Sequence, residues 1–493
     1  MCRLRNEHNM PDEILKEPNV RKWPVVLLVI IIVFTAGFFA LRNWYRSGGL
    51  RNVVINKISE KITSSQSENN LLHEALGFNS PKTYLLLFLN NTEIRPGGGF
   101  IGAYAVVRVD KGTPEILKVE GTEILDNNSP DFTSMAPEPL KKYLGIKKWK
   151  FRDSNWSPDF ASSSKVSLDF FRKEGGVAAN EINAVIGFTP TLLEEVLKIS
   201  GSIKVNGEVF TPENFVQKLE YEVEYGYVDK GLEFSDRKKI LQDLTHALAA
   251  RLRTDVFLRW SNYWALAERM LAEKQVLAFS EFAEAQNILN SKGWSGEMKA
   301  SAGDYILWAD ANLAALKTDR VISRTLSYST SKDKNGKYVG VVKMKYVHNG
   351  KFDDFTTRYR TYGRIYLPIG SEFISVNGSM KGDKSKEPGV VDRGIENGRQ
   401  WFGAFISIEP GKTGELAWQF YLSPQVASLI KDGDYELYVQ KQAGALNNKL
   451  TLDLNFDKNV LFASPGEPKE KHGDNKYGFY GDFKTDMEFK VRY

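Results

Sequence analysis

Tyr84-Leu85-Leu86-Leu87-Phe88-Leu89-Asn90-Asn91-Thr92-Glu93-Ile94-Arg95-Pro96-Gly97-Gly98-Gly99-Phe100-Ile101-Gly102 is the stretch on which the reading of this chain turns. The apolar run Tyr84 to Leu89 is a strand, and Ala103–Val109 and Glu115–Val119 are the next two. Between them, Gly97, Gly98 and Gly99 free the backbone for positive φ and for close approach of a ligand. Successive N–H groups in such a turn can form an anion-binding nest, to which Arg95 would add a planar fork of donors. The alternative is a tight hairpin whose glycines serve only the turn, with Arg95 solvated or paired to Glu93. A second stretch, Phe151-Arg152-Asp153-Ser154-Asn155-Trp156-Ser157-Pro158-Asp159-Phe160, again sets an arginine in a loop, ahead of a helix over Ser162–Arg172. Arg152 and Asp153 are either functional or an internal ion pair that pins this loop, with Trp156 plugging the core. Asp159 is a helix-start residue.

Working outward, Ala184–Phe188 is a short apolar strand, and Thr189-Pro190 opens a helix over Thr191–Ile199 that Gly201 closes. Thr211-Pro212 and Ser235-Asp236 are further helix starts. The second leads a helix from Arg237 to Arg253 with Ile240, Leu241, Leu244, Ala247 and Leu248 on one face. Helices over about 256–274 and 280–291 complete an α/β or α+β domain, assigned to residues 80–320. After Arg320 the texture becomes β-rich. Ser327–Ser331, Val341–Val347, Arg358–Leu367, Gln400–Ile408, Glu415–Leu422, Tyr435–Gln440 and Lys449–Phe456 lie between Gly, Pro and Asn turns, and predict an all-β sandwich over 321–493. Ser379–Glu396 reads as an exposed loop. The sandwich is rich in aromatic residues (Tyr359, Tyr362, Tyr366, Trp401, Phe402, Trp418, Phe420, Tyr421), which pack a core or, where exposed, form a carbohydrate platform.

Ahead of these domains, Val25 to Leu41 carries no charged residue, and Arg21, Lys22, Trp23 and Arg42, Trp44, Tyr45, Arg46 flank it. A helix there is about 26 Å long, close to a bilayer core, with aromatic and basic residues at both interfaces. We assign residues 1–22 to a short tail, 23–45 to a transmembrane helix and 46–79 to a helical stalk. Basic residues are balanced across the span, so charge does not orient it. The signal-anchor arrangement places the N-terminus in the cytoplasm and the bulk outside the cell membrane.

The whole chain of 493 residues has 66 basic and 61 acidic residues, a net charge of +5. Without a strongly basic stripe, nucleic acid is not an expected partner. Cys2 is the single cysteine, which excludes an intrachain disulfide and cysteine-ligated zinc, and the five histidines show no ligand spacing.

The two opening stretches, together with Asp310-Ala311-Asn312-Leu313, Lys317, the run Tyr359 to Ser371 ending in Leu367-Pro368-Ile369-Gly370-Ser371, and Tyr438-Val439-Gln440-Lys441-Gln442, resemble the bacterial family called domain of unknown function 4012. The likeness runs in order from about Tyr84 to Leu454. The first domain is also remotely similar to the LytR-CpsA-Psr phosphotransferases, single-pass membrane proteins that move glycopolymers from a polyprenyl diphosphate carrier to the cell wall. That resemblance implies catalytic roles for Arg152 and Asp153. It also implies diphosphate binding by Asn90, Arg95, Gly97, Gly98, Gly99, Arg237 and Lys238, in a cleft where charge neutralisation does most of the work. Asp153 would orient an arginine, hold magnesium or accept a proton. Asn90 and Asn91 stand where those enzymes carry acidic residues, and amides bind a hard Mg2+ poorly. Lys238 replaces an arginine and loses the bidentate fork. Asn312 and Lys317 are expected at the junction between domains. Two functions follow: a membrane-anchored envelope protein that binds or transfers a polyprenyl-diphosphate-linked glycopolymer, or a non-catalytic extracytoplasmic scaffold or adhesion protein whose β-sandwich binds a protein or glycan.

Overall fold

The computed structural model describes residue 70 and residues 73–493 apart from 130–133, 227–230, 232–238, 469–470 and 472. The expected transmembrane span and nearly all of the stalk lie outside these residues, as do Arg237 and Lys238. Among the described residues, no helix is long and apolar enough to cross a membrane.

Strands β1 (Lys82–Asn90), β2 (Phe100–Asp110) and β3 (Thr113–Gly121) form an antiparallel meander. Helix α1 (Thr122–Asn128) follows, then a small excursion in which β4 (Ser134–Met135) and β5 (Lys148–Trp149) pair on either side of α2 (Glu138–Leu144). Helix α3 (Phe160–Lys173) leads to β6 (Ile182–Phe188), which lies parallel to β1. Next come α4 (Pro190–Ser200), the hairpin β7 (Ile203–Val205) and β8 (Glu208–Phe210), α5 (Phe215–Tyr221), α6 (Lys239–Leu258) and α7 (Trp260–Ala272). Strand β9 (Val276–Ser280) completes a sheet of order β3-β2-β1-β6-β9, and α8 (Ala283–Ser291) ends the unit.

The apolar run in β1 is continuous because both of its faces are covered. Leu85, Leu87 and Leu89 pack with Phe160, Leu168 and Phe171 of α3, whereas Tyr84 and Leu86 pack with Val196 of α4, Leu244 of α6 and Met270 of α7. Helix α3 starts at Asp159, whose two carboxylate oxygens accept from Ser162 N at 2.7 Å and from the distant Met298 N at 2.7 Å. Removing this double cap by Asp159→Ala is expected to cost about 2 kcal/mol, measured as a lower denaturation midpoint with unchanged m-value.

The second unit is a two-sheet sandwich built from β10 (Asp304–Asn312), β11 (Ile322–Lys332), β12 (Tyr338–His348), β13 (Tyr359–Leu367), β14 (Glu372–Asn377), β15 (Asp392–Glu396), β16 (Arg399–Ile408), β17 (Thr413–Tyr421), helix α9 (Pro424–Asp432), β18 (Asp434–Gln440), β19 (Asn448–Asn455), β20 (Phe462–Ser464), β21 (Lys476–Asp482) and β22 (Met487–Arg492). One sheet has the order β15-β16-β13-β10-β18-β22-β20 and the other β14-β17-β12-β11-β19-β21. Trp308, Ile365 and Phe402 from the first meet Leu326, Met344 and Trp418 from the second in the core between them.

Three expectations are corrected. Strand β10 precedes the expected boundary at 320 yet sits between β13 and β18, so the sandwich begins at Asp304; buried along its whole length, it has no polar alternation to mark its unit. Between the expected helices over 256–274 and 280–291 lies a strand, β9, which also takes Ser280 from the second of them. Within the expected Ser379–Glu396 loop, Asp392–Glu396 is an edge strand on β16, concealed by its Asp-Arg-Gly-Ile-Glu composition. Of the sandwich aromatics, Tyr359, Tyr362, Tyr366, Phe402, Trp418 and Phe420 are buried, so they pack the core and form no exposed platform.

Candidate functional site

The parallel strands β1 and β6 end side by side, and beyond such carboxyl ends an α/β sheet usually takes its ligand. Here much of the place is filled by protein. Arg95 is only 4 % exposed. Its Nε donates to Asp153 Oδ1 at 3.3 Å, Nη2 to Glu93 Oε1 at 3.3 Å and Nη1 to the backbone carbonyl of Asn312 at 2.6 Å. Two carboxylates and a carbonyl from the sandwich therefore occupy the fork that a phosphate would need.

The glycine loop is likewise committed. Gly97 N donates to Asn155 O at 3.1 Å, Gly98 N to Arg95 O at 2.9 Å and Phe100 N to Glu93 O at 2.9 Å, while Asn155 Nδ2 donates to Gly99 O at 2.7 Å. Gly97, Gly98 and Gly99 are all buried. Their freedom is needed for close approach, but by the sandwich: a Cβ on Gly444 would stand 1.8 Å from Gly98 O. Asn90 makes an Asx turn, its Oδ1 accepting from Thr92 N at 3.1 Å and Thr92 Oγ1 at 2.7 Å, the local bonding that suits asparagine to loops.

Arg152 and Asp153 do not pair with each other. The short 3-10 turn Phe151–Asp153 turns Asp153 inward to Arg95 and leaves Arg152 a third exposed, paired with Asp126 of α1. The structure thus brings Asn90, Arg95, Asp153 and the three glycines to the seam and sends Arg152 to another surface of the loop.

Several residues at the seam become visible only in three dimensions. Asn91 Nδ2 donates to Gly444 O at 3.0 Å and Thr191 Oγ1 at 3.0 Å. Gln442 Nε2 donates to Arg95 O at 3.1 Å and Asp310 O at 2.8 Å, while its Oε1 accepts from Asp310 N at 2.9 Å. Arg364 Nη2 donates to Trp156 O at 2.6 Å, with its guanidinium 4.9 Å from the Trp156 ring centre. Lys441 Nζ donates to Glu273 O at 2.9 Å and Gln442 O at 3.1 Å; burial, with Lys274 close by, pushes it down to about 7. Lys317 reaches Glu224 at 3.7 Å, so it joins Asn312 in bridging the two units.

Behind the loop lies a buried hub. Arg324 Nε donates to Asp310 Oδ2 at 3.0 Å and Nη2 pairs with Asp319 Oδ1, and Tyr346 and Tyr359 donate their hydroxyls to the same two carboxylates at 2.6 and 2.8 Å. Asp319 Oδ2 then accepts from Ile94 N at 3.0 Å, which carries the hub into the loop after β1. Sequence offers one signal for it. Arg324 alternates with Ile322, Leu326 and Tyr328 on the core face of β11, and a charge on such a face requires buried partners.

Next to the seam a cleft of about 460 Å3 is lined by Asn91, Thr92, Thr191 and Glu194 on one side and Arg320 and Asn447 on the other. Burial, with Glu195 and Glu220 near and Lys198 partly opposing, pushes the Glu194 carboxyl up to about 7. Among the described residues, no group of three or more His, Cys, Asp or Glu side chains could hold a metal ion.

Among solved structures, the chain is similar to the Lin1025 protein from Listeria innocua, at 12 % identity over 44 % of this chain and 78 % of that one, with a TM-score of 0.24. A putative nutrient binding protein from Legionella pneumophila gives 8 % identity over 38 % of this chain and 72 % of that one, with a TM-score of 0.22. No curated protein matches. Residues 79–224, which contain both opening motifs, match the family described as Protein of unknown function (DUF4012).

Proposed function

We propose that this chain is a membrane-tethered, non-catalytic scaffold outside the cell, in which the loops after β1 and before α3 weld an α/β unit to a β-sandwich that is held out toward a protein or glycan partner. One observation carries this reading: Arg95, the arginine of the glycine loop after β1, is buried and already matched by Asp153, Glu93 and the Asn312 carbonyl. Moving a phosphate there would require breaking a buried ion pair, which costs more than an exposed contact returns. The apolar tract Val25–Leu41 supports the tether.

The competing reading, glycopolymer transfer from a polyprenyl diphosphate as in the LytR-CpsA-Psr enzymes, needs Arg95 and Arg152 in one pocket, with magnesium an optional partner of Asp153. Binding of a polyprenyl diphosphate to the full chain in detergent micelles, with and without Mg2+, separates the two. The scaffold reading expects no saturable binding and no difference for Arg152→Ala. Saturable binding that weakens tenfold or more in Arg152→Ala would overturn it.

A further inference from the structure

On the face of the α/β unit away from the cleft, two acidic side chains are buried together. Asp126 of α1 and Glu174, the residue that ends α3, are each 4 % exposed. One oxygen of each is accounted for: Asp126 Oδ2 pairs with Arg152 Nε, and Glu174 Oε1 accepts from Phe151 N at 3.0 Å. The others, Asp126 Oδ1 and Glu174 Oε2, are buried with no donor among the described residues, and the two carboxyl groups lie within hydrogen-bonding reach of each other. Two ionised carboxylates in that position would repel and leave two acceptors unsatisfied; a single proton between them removes both costs.

We propose that Asp126 and Glu174 share one proton, and that this proton is a catch holding the segment Ser134–Lys150 against the sandwich. The segment is tied down where it returns to the α/β unit. Lys150 Nζ donates to Asp126 O at 3.1 Å, Phe151 N bonds Glu174, and Trp149 Nε1 donates to Asp153 O at 2.8 Å. Across the seam, Leu140 packs with Leu313 and Phe405, and the Tyr143 ring stacks on Phe405 at 4.2 Å. The catch therefore sits at the root of a piece that bridges both units.

The charged and titratable groups around the pair are Lys150 and Arg152 from the loop before α3 and Tyr104 of β2, whose hydroxyl donates to Glu120 at 2.7 Å. Burial first, then the Asp126 carboxylate, push Glu174 up to about 8. With the folded value above the ordinary 4.5, the closed segment holds its full advantage below pH 4.5 and loses it as pH rises to about 8. Across that window the opening equilibrium grows by up to about tenfold per pH unit.

Hydrogen exchange on the full chain tests this, reading backbone amides of 138–152 at pH 6 and pH 8 after correction for intrinsic exchange, with amides of β11 and β12 as the internal reference. Opening of 138–152 is expected to rise about fiftyfold between the two values while the reference stays level. Glu174→Gln, which donates to Asp126 without titrating, is expected to abolish that rise. Equal opening of the unaltered chain at both values, or an undiminished rise in Glu174→Gln, would overturn the proposal. The unaltered chain alone decides if the variant does not fold.

Discussion

Replacing Arg324 by methionine is expected to destabilise the folded chain by about 3–5 kcal/mol, the range found when one partner of a buried ion pair is removed. The side chain is 4 % exposed, and its two partners, Asp310 and Asp319, are 1 % and 2 % exposed. Methionine fills much of the volume but leaves both carboxylates buried against two tyrosine hydroxyls, without a counter-charge. The loss reaches further than the sandwich, because Asp319 also receives Ile94 N and Asn312 Nδ2 and so positions the loop after β1. Chemical denaturation of the variant beside the unaltered chain measures the effect. A loss below about 1 kcal/mol would mean that water reaches the hub and screens it.

Gly444→Ala is expected to be nearly as severe and to act specifically at the seam. Gly444 has φ +71°, and an added Cβ would meet Gly98 O at 1.8 Å and Gly98 C at 2.8 Å, backbone atoms that cannot rotate away. The left-handed conformation costs an L-residue about 1–2 kcal/mol, and forcing the two loops apart adds about 1–3 kcal/mol. The bonds Gly444 N to Lys274 O at 2.9 Å and Asn91 Nδ2 to Gly444 O at 3.0 Å would stretch together. Calorimetry should then show the α/β unit and the sandwich melting separately instead of as one transition. Gly336→Ala is the control: it shares a positive φ of 76° but has no atom within 4 Å of its would-be Cβ, so it should bear the conformational cost alone.

How much of this was legible in sequence differs from link to link. The strand Tyr84–Leu89, the helix behind Asp159 and the change to β texture were readable because local pattern dictates them: a strand covered on both faces must be apolar throughout, and a cap must be a short acceptor. The split between Arg152 and Asp153 was not, since two adjacent charged residues in a short turn are equivalent until the turn's direction is known. Nor were the partners of Arg95. Its companions Asn312 and Gln442 lie more than 200 residues away, and no local preference reports which carbonyl a distant strand will bring. Gly97, Gly98 and Gly99 suggested the close approach of a ligand, whereas the body that approaches Gly98 is the sandwich's own backbone at Gly444.

The order of strands in the sandwich has a consequence for biosynthesis. Strand β10 pairs with β18, which in turn pairs with the much later β22, so the sheet bearing Asp310 and Asn312 is completed only once Met487–Arg492 has been made. The α/β unit is fully translated long before that, and until then its Arg95, Asn91 and glycine loop face a vacant berth. A nascent chain therefore passes through an interval in which this polar surface is unmatched, and deleting β22 from the sheet would prolong that exposure.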